Sequence, residues 1–491
     1  MRKQTAALAL GFASTALLAL WGFWAEPAWL DSAFVAFRYA RRVSENGTLL
    51  LIGQDTPVEA FVDPLWTMIL SFLGVLGAHE MRLQPFLGSG LLGLLCGLCV
   101  HWAVLNFSRW ESVLTTLAVF ALPTVAVAAH SGSDHLFLAV LSVLAVFSVQ
   151  SDRDQLRGSH WTIACLVLLS LAGLAPLLLA LVLAALRWPH DQRPVKAVLC
   201  TVVALSLARW VLFGQLLPHG AWILLSQADS GAFFTALKLT PILPAAGIVG
   251  LGMMRRLESW RGPFVAAAGV WILWGALGGN GAENFGSILV PAIGFLAIGA
   301  GYLADRLPHR ALGLVVVVSL GLVDMRQGLQ VQNTQIRSRI SELKRAQLMS
   351  RFLRWRFEGD LLVVVQTPGM IPYFLKRRTF DLAKRTHQQP TDQAYIQTLE
   401  SEVIIPEGAI VAKKATRLAV KKSWDWKTLT STHYQHAIMQ SREWAFIEEK
   451  SIWFNVYFRK DLDKYPPKWE AIYEKRREKA RREREKPTPG G

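Results

Sequence analysis

Carboxylates, guanidinium groups and aromatic rings alternate through the stretch Leu30 to Trp66. It holds Asp31, Arg38, Tyr39, Arg41, Arg42, Glu45, Asp55, Glu59 and Asp63. A carboxylate beside an apolar surface has its pKa raised by partial burial, and so becomes a usable proton acceptor. Asp31 is the candidate for such a base; on spacing alone it is equally a helix N-cap, a frequent role of aspartate. Arg38, about two turns on, suits an anion through charge-assisted hydrogen bonds. Headgroup snorkelling and a structural pair with Glu59 are its alternatives. Glu59 in turn can orient Arg38 or cap the helix of the 60s, and Arg41 and Arg42 fit plain headgroup contacts.

The element that must carry these groups begins with apolar Phe34, Phe37 and Val43 and basic Arg38, Arg41 and Arg42, the pattern of a helix lying in a membrane interface. The rest of the chain agrees. Its 491 residues are 52% apolar, with a mean hydropathy of +0.30, and its long apolar runs suit a hydrocarbon core ~30 Å thick. These runs fall at about 5–24, 86–106, 113–130, 134–150, 161–187, 195–212, 234–253, 263–279, 287–304 and 311–324. The segment 65–79 is shorter and is expected to dip into the membrane without crossing. The run 161–187 is interrupted by AGLAP at 172–176, so two short helices are expected to meet near Pro176. The first run follows Met-Arg-Lys and lacks a clean small-x-small cleavage site, so it is expected to stay as a first helix with its N-terminus in the cytoplasm.

Charge sets the sides. The connectors holding Arg109, Arg153 and Arg157, Arg187 to Lys196, Arg255 to Arg261 and Arg306 to Arg310 are all basic and fit the cytoplasmic face. Eleven crossings then result. The polar stretch 30–66, HSGSDH at 130–135, FGQLLPHGAW at 213–222 and GGNGAENFG at 278–286 meet on the opposite face. His130, Asp134 and His135 together suggest a metal only superficially, because three ligands within six residues across a tight turn make a weak pattern. His219, on the same side, suits a phosphate, though a lone loop histidine is more often plain polar filler. All four cysteines lie in apolar runs, and Cys96 and Cys99 fit small helix residues better than redox or metal chemistry.

From about residue 325 the chain turns soluble and basic, with 33 Lys and Arg against 19 Asp and Glu, most of the total charge of +16. Anionic headgroups and lipid phosphates account for this better than nucleic acid. Expected here are an amphipathic helix at 333–357, strands at 361–365, 402–411 and 451–458, a short helix and a further strand after Pro368-Gly369, and a charged helical tail. The domains therefore divide into a polytopic part at 1–324 with its first outer loop at 25–64, an outer α/β domain at 325–470, and a tail at 471–491. A transporter would show charges at mid-membrane and repeat symmetry between halves. Neither is evident.

DSAFVAFRYARR followed by NGTLLL and VEAFVDPLW resembles the first outer loop of the polytopic GT-C glycosyltransferases that use a polyprenyl-phosphate sugar, the bacterial terminal arabinofuranosyltransferases above all. The match rests on Asp31, Ala33, Phe34, Phe37, Arg38, Tyr39, Ala40, Val58, Glu59, Pro64, Leu65 and Trp66. Weaker likenesses continue at Ser131 to Asp134, Phe213 to Pro218, Gly278 to Asn280, Leu289 to Pro291, Ile371 to Phe374 and Thr379 to Leu382. The chain departs from the pattern at Ser32, Ala175, Asn280 and Gly286 to Ser287, where acids or arginines are usual. The resemblance implies a GT-C-like α-helical polytopic membrane protein with an outer C-terminal α/β domain, in a bacterial inner membrane. It implies transfer of a sugar, arabinofuranose or another pentose, from a polyprenyl phosphate to a glycan, glycolipid or surface protein. Asp31 would act as the base. Arg38, Tyr39, Glu59, Asp134, His135 and His219 would hold the donor phosphate and sugar. Apart from the resemblance, the aromatic faces of Tyr373 and of Trp424 or Trp426 suit stacking on acceptor sugars, though a structural role in the outer domain fits the two tryptophans better. No cofactor is required; a divalent metal would help a phosphate leave but is not obligatory. The departures favour an alternative, a catalytically degenerate relative that serves as a membrane scaffold or glycolipid-binding subunit.

Overall fold

The computed structural model describes residues 29–50, 59, 63–78, 80–120, 125, 128–151, 159–189, 191–216, 247–249, 251–252, 258–277, 287–307, 362–365, 370–376, 378–381, 403–405, 444–449 and 454–459, with isolated positions at 5, 9, 13, 340, 343–344, 346–347 and 350. The segment expected to be an interfacial helix forms α1 (Asp31–Asn46), closed by Gly47 in the left-handed conformation at φ 64°. α2 (Pro64–Val75) starts on a proline, whose fixed φ suits a first turn. Its 12 residues rise ~18 Å at ~1.5 Å each, short of a ~30 Å hydrocarbon core.

α3 (Glu80–Asn106) and α8 (Arg193–Phe213) are, among the described residues, the two helices long and apolar enough to cross a membrane. α4 (Trp110–Phe120), α5 (His135–Ser151), α6 (Ser159–Ala172) and α7 (Leu174–Arg187) are shorter apolar helices, and α9 (Glu258–Leu277) follows them. The run 161–187 does break in two, at Gly173, and Pro176 falls in the first turn of α7 where its missing N–H costs nothing. A 3₁₀ turn (Ser287–Ala292) leads into α10 (Ile293–Arg306). Of the remaining expected crossings, only residues 5, 9, 13, 247–249 and 251–252 are among those described.

One apolar core joins α3, α4, α5, α6, α7, α9 and α10, with Trp271, Phe264, Phe295 and Leu92 fully buried in it. Cys96 and Cys99 sit within this core, and the Cys99 thiol approaches the Gly294 carbonyl at 3.8 Å. Small residues permit the closest helix approaches. A Cβ on Gly88 would stand 1.7 Å from the Ala129 carbonyl oxygen, and one on Gly301 would stand 2.2 Å from Thr116 Oγ1. The start of α4 is capped from across the bundle. Asp305 accepts from the backbone of Ser108 and Arg109, each at 3.2 Å, and from Ser108 Oγ at 2.9 Å.

In the last third, β1 (Leu362–Val365), β2 (Arg378–Asp381), β3 (Val403–Ile405), β4 (Trp444–Glu449) and β5 (Phe454–Arg459) form a mixed sheet in the order β2-β1-β3-β5-β4. β1 runs parallel to β2 and β3, while β5 is antiparallel to β3 and β4. The strands expected around 361–365, 402–411 and 451–458 are present, and β4 adds one more. Between β1 and β2 lies a short helix, α11 (Met370–Leu375), as the Pro-Gly turn implied.

Candidate functional site

α1 is pinned at its head. Leu30 N–H donates to the Ser131 carbonyl at 2.8 Å, and Trp29 Nε1 donates to Gln84 Oε1 at 3.3 Å. Gly132, at φ +77°, lets the next turn of backbone press against Ala33, Trp29 and Phe37. The stretch 30–66 and the HSGSDH turn at 130–135 are thus joined at the first turn of α1, where Asp31 stands. Leu30 is the residue in the capping position, and it contributes no side-chain bond.

Two acids meet beside this junction. Asp63 occupies the N-cap position of α2, yet its side chain makes no capping bond. Instead its carboxyl is hydrogen-bonded to Asp134 at the start of α5. Burial first, then the charge of Asp134 and that hydrogen bond, hold the Asp63 carboxyl well above the usual carboxylate range. Two carboxylates in contact cannot both ionise cheaply, which adds to the effect of burial on Asp63. One turn further into each helix the rings of Trp66 and Phe137 pack at 5.4 Å, which fixes the two helix starts side by side. A serine relay orders the turn itself: Ser131 Oγ lies 2.7 Å from Ser133 Oγ, which lies 2.8 Å from His135 Nδ1. His135 is therefore tied into its own turn, and His130 is buried beside it. Among the described residues no three His, Cys, Asp or Glu side chains gather as a metal would need.

Two turns along α1, Arg38 and Tyr39 are buried, at 8% and 0% exposure. Tyr39 packs with Val35 against Leu49 and Phe213, which docks the end of α8 on α1. Glu59 is 4% exposed and receives Arg209 Nε at 2.9 and 3.1 Å on its two oxygens. The partner considered for Glu59 from sequence was Arg38; the carboxylate is instead held by an arginine of α8. Burial pushes the Glu59 carboxyl up, and the hydrogen bond and charge of Arg209 oppose that. Arg209 is the residue the sequence reading passed over. A lone arginine inside the apolar run 195–212 was the available signal, since intramembrane charge is seldom idle.

Tyr373 departs from its expected role. It is 4% exposed, packs edge-on against Phe34 at 5.2 Å, and has the Arg41 guanidinium 4.0 Å above its ring with a bond from Arg41 to its hydroxyl. The face meant for an acceptor sugar is covered, and the ring fastens α11 to α1. Arg41, expected at lipid headgroups, is taken up by this contact. Arg42 turns back to its own chain, donating to the Leu50 carbonyl and to Asn46 Oδ1, each at 3.0 Å. Ala175 is buried in the core, at 3% exposure. His219, Asn280, Trp424 and Trp426 lie outside the described residues.

No family model matches the chain, and no curated protein does. Among solved structures, the crystal structure of ArnT from Cupriavidus metallidurans bound to undecaprenyl phosphate is similar over 92% of this chain and 98% of its own, at TM-score 0.59 and 15% identity. The same protein in the apo state is similar over the same shares, at TM-score 0.61 and 14% identity. At that identity the likeness is one of architecture: the chain carries the same fold as that protein.

Proposed function

We propose that the protein is a membrane glycosyltransferase that takes a sugar from a polyprenyl phosphate and passes it to an acceptor hydroxyl at the outer face. The observation that carries this reading is the junction at the head of α1. There the backbone of Leu30, next to Asp31, bonds to Ser131 in the turn that leads to Asp134, Asp63 stands beside Asp134, and buried Arg38 follows on the same helix, all within a fold shared with a protein solved bound to undecaprenyl phosphate. Asp31 accepts the proton of the acceptor hydroxyl as that oxygen attacks the anomeric carbon. The bond from that carbon to the phosphate oxygen breaks, and polyprenyl phosphate departs with the electron pair. Arginine donors stabilise the charge that develops on it. Asp63 and Asp134, in contact with each other, hydrogen-bond sugar hydroxyls of the donor in this reading.

The finer reading is a bacterial inner-membrane enzyme. Arabinofuranose or another pentose is the sugar, a cell-envelope glycan, glycolipid or surface protein is the acceptor, and the sheet-bearing C-terminal part lies outside. Membranes holding the unaltered protein should move label from a polyprenyl-phosphate pentose to a glycan or protein, and Asp31→Asn should abolish this. The rival reading, a glycolipid-binding subunit without turnover, draws on Ala175, a small core residue where the resembling enzymes have arginine. Binding of the lipid without transfer from any pentose or hexose donor would establish the rival.

A further inference from the structure

α1 is gripped along two stripes. Phe34, Phe37 and Arg41 make the first and meet α11: the Tyr373 ring lies edge-on to Phe34 at 5.2 Å and to Phe37 at 6.3 Å, and Phe374 lies 5.7 Å from Phe34. Arg41 ends this stripe over the Tyr373 ring, bonded to its hydroxyl, with Glu45 3.9 Å from Nε. Trp66 and Leu70 of α2 share the same apolar cluster. Val35 and Tyr39 make the second stripe, packed on Leu49 and on Phe213 at the end of α8. At about 100° of turn per residue, the line through Asp31 and Arg38, seven residues apart, runs between the two stripes. The roll of α1 about its own axis therefore decides where that line points. α8 holds one flank, α2 and α11 hold the other, and of these α11 comes from the C-terminal third.

α11 is the crossover between β1 and β2, which are neighbouring parallel strands. Four residues separate it from β1 and two from β2. It ends at Lys376, a left-handed residue at φ 55° whose N–H bonds to the Pro372 carbonyl at 3.1 Å. A non-glycine backbone of that kind persists where its surroundings over-determine it. Ser350 Oγ donates to the Ile371 carbonyl at 3.3 Å, a further brace. With connections this short, α11 moves with the β2-β1 edge of the sheet, and Tyr373 carries that movement to α1. The rings of Phe34, Phe37 and Tyr373 are sealed at 4% exposure or less, so packing alone already holds the two helices together. Apolar burial has no direction, whereas a hydrogen bond does. The bond from Arg41 to the Tyr373 hydroxyl adds an angle to the contact. A group about 5–6 Å from a helix axis moves through about 1 Å for about 10° of roll, and a misplacement of that size costs a reaction up to about a hundredfold.

We propose that Tyr373, held by Arg41, sets the roll of α1 and so aims Asp31 and Arg38, which makes the C-terminal sheet and the apolar bundle joint owners of one transferase site. This rests on the function proposed above. Tyr373 is then a positioning residue and does not touch sugar.

The test uses washed membranes holding the full chain, with labelled undecaprenyl-phosphate arabinofuranose as donor, undecaprenyl-phosphate glucose as a second donor, and the membranes' own glycans and proteins as acceptors. Tyr373→Phe keeps the ring and loses the hydroxyl. It should lower turnover at saturating donor about tenfold, with the half-saturating donor concentration within about threefold and SDS unfolding close to that of the unaltered protein. Arg41→Met removes the other partner of the bond and should match it. Arg41→Lys still donates to the hydroxyl and should recover most of the turnover. The Arg41→Met/Tyr373→Phe variant should fall no further than the worse single change, because both act through one bond. A purely structural contact would shift unfolding and leave the turnover of the folded protein unchanged. Turnover within about twofold of the unaltered protein in both single variants would overturn the assignment and leave the transferase reading intact, as would losses that multiply in the double variant. An unaltered protein that transfers sugar from neither donor would overturn both.

Discussion

Replacing Gly132 with alanine tests whether the HSGSDH turn really is seated on the head of α1. Gly132 has φ +77°, where a Cβ costs about 1–2 kcal/mol. That new Cβ would also stand 3.0 Å from Ala33 Cβ, 3.2 Å from Trp29 Cδ1 and 3.3 Å from Phe37 Cζ. All three neighbours are buried at 7% exposure or less, so none can swing away. Overpacking of that kind costs about 1–3 kcal/mol. Gly132→Ala should therefore lose about 2–5 kcal/mol. Gly47→Ala is the matched control: its φ is +64°, but nothing lies within 4 Å of the added Cβ, so only the backbone cost applies. Unfolding by SDS in mixed micelles, followed by far-ultraviolet circular dichroism, yields both values. The difference between them isolates the contact with α1. Equal losses, within about 0.5 kcal/mol, would refute that contact and with it the seating of the Ser131–Gly132 turn on the head of α1, since surface changes without such contacts rarely exceed that size.

The acid pair makes a pH prediction. Asp63 holds its proton above the unfolded carboxyl range, so across that window the folded state binds more protons than the unfolded state and stability falls as pH rises. Glu59, also raised, acts in the same direction. Asp63→Asn still offers a donor to Asp134 and has no proton to lose. Its stability relative to the unaltered protein should grow from pH 4 to pH 8, and parallel curves in SDS unfolding would count against the pair. Asp305→Ala removes the acceptor for the Ser108 and Arg109 backbones and should cost about 1–2 kcal/mol, as the loss of a helix cap does, while Asp305→Asn should recover most of it. Tyr373→Phe should weaken the fastening of α11 to α1 only slightly, whereas Tyr373→Ala should lose about 3–5 kcal/mol of packing, read by the same unfolding.

The helices were legible because hydrophobic runs of helical length have few other uses in a chain of this composition. The break before Pro176 was also readable, because backbone chemistry is strict there. The first outer stretch could be picked out as a site because its charges have no business in a simple connector. What the sequence hid were pairings over long separations. Glu59 with Arg209 spans 150 residues, and nothing in local spacing favours that arginine over the much nearer Arg38. Asp63 sat in plain view before Pro64, where helix capping explains it fully; its contact with Asp134 depends on how α2 and α5 pack. Tyr373 was assigned to the acceptor because an aromatic in a soluble segment suits a sugar. Its burial against Phe34 and Arg41 follows from docking α11 onto α1, which no pattern within 370–375 encodes.

The most direct measurement of the central claim follows both products of one reaction. Purified protein in nanodiscs would be given a polyprenyl-phosphate pentose and an acceptor glycan, and released polyprenyl phosphate would be quantified beside sugar transferred. Transfer from the lipid phosphate predicts the two in equal amounts, both lost with Asp31→Asn. Bound donor with neither product formed, across pentose and hexose donors, would contradict it.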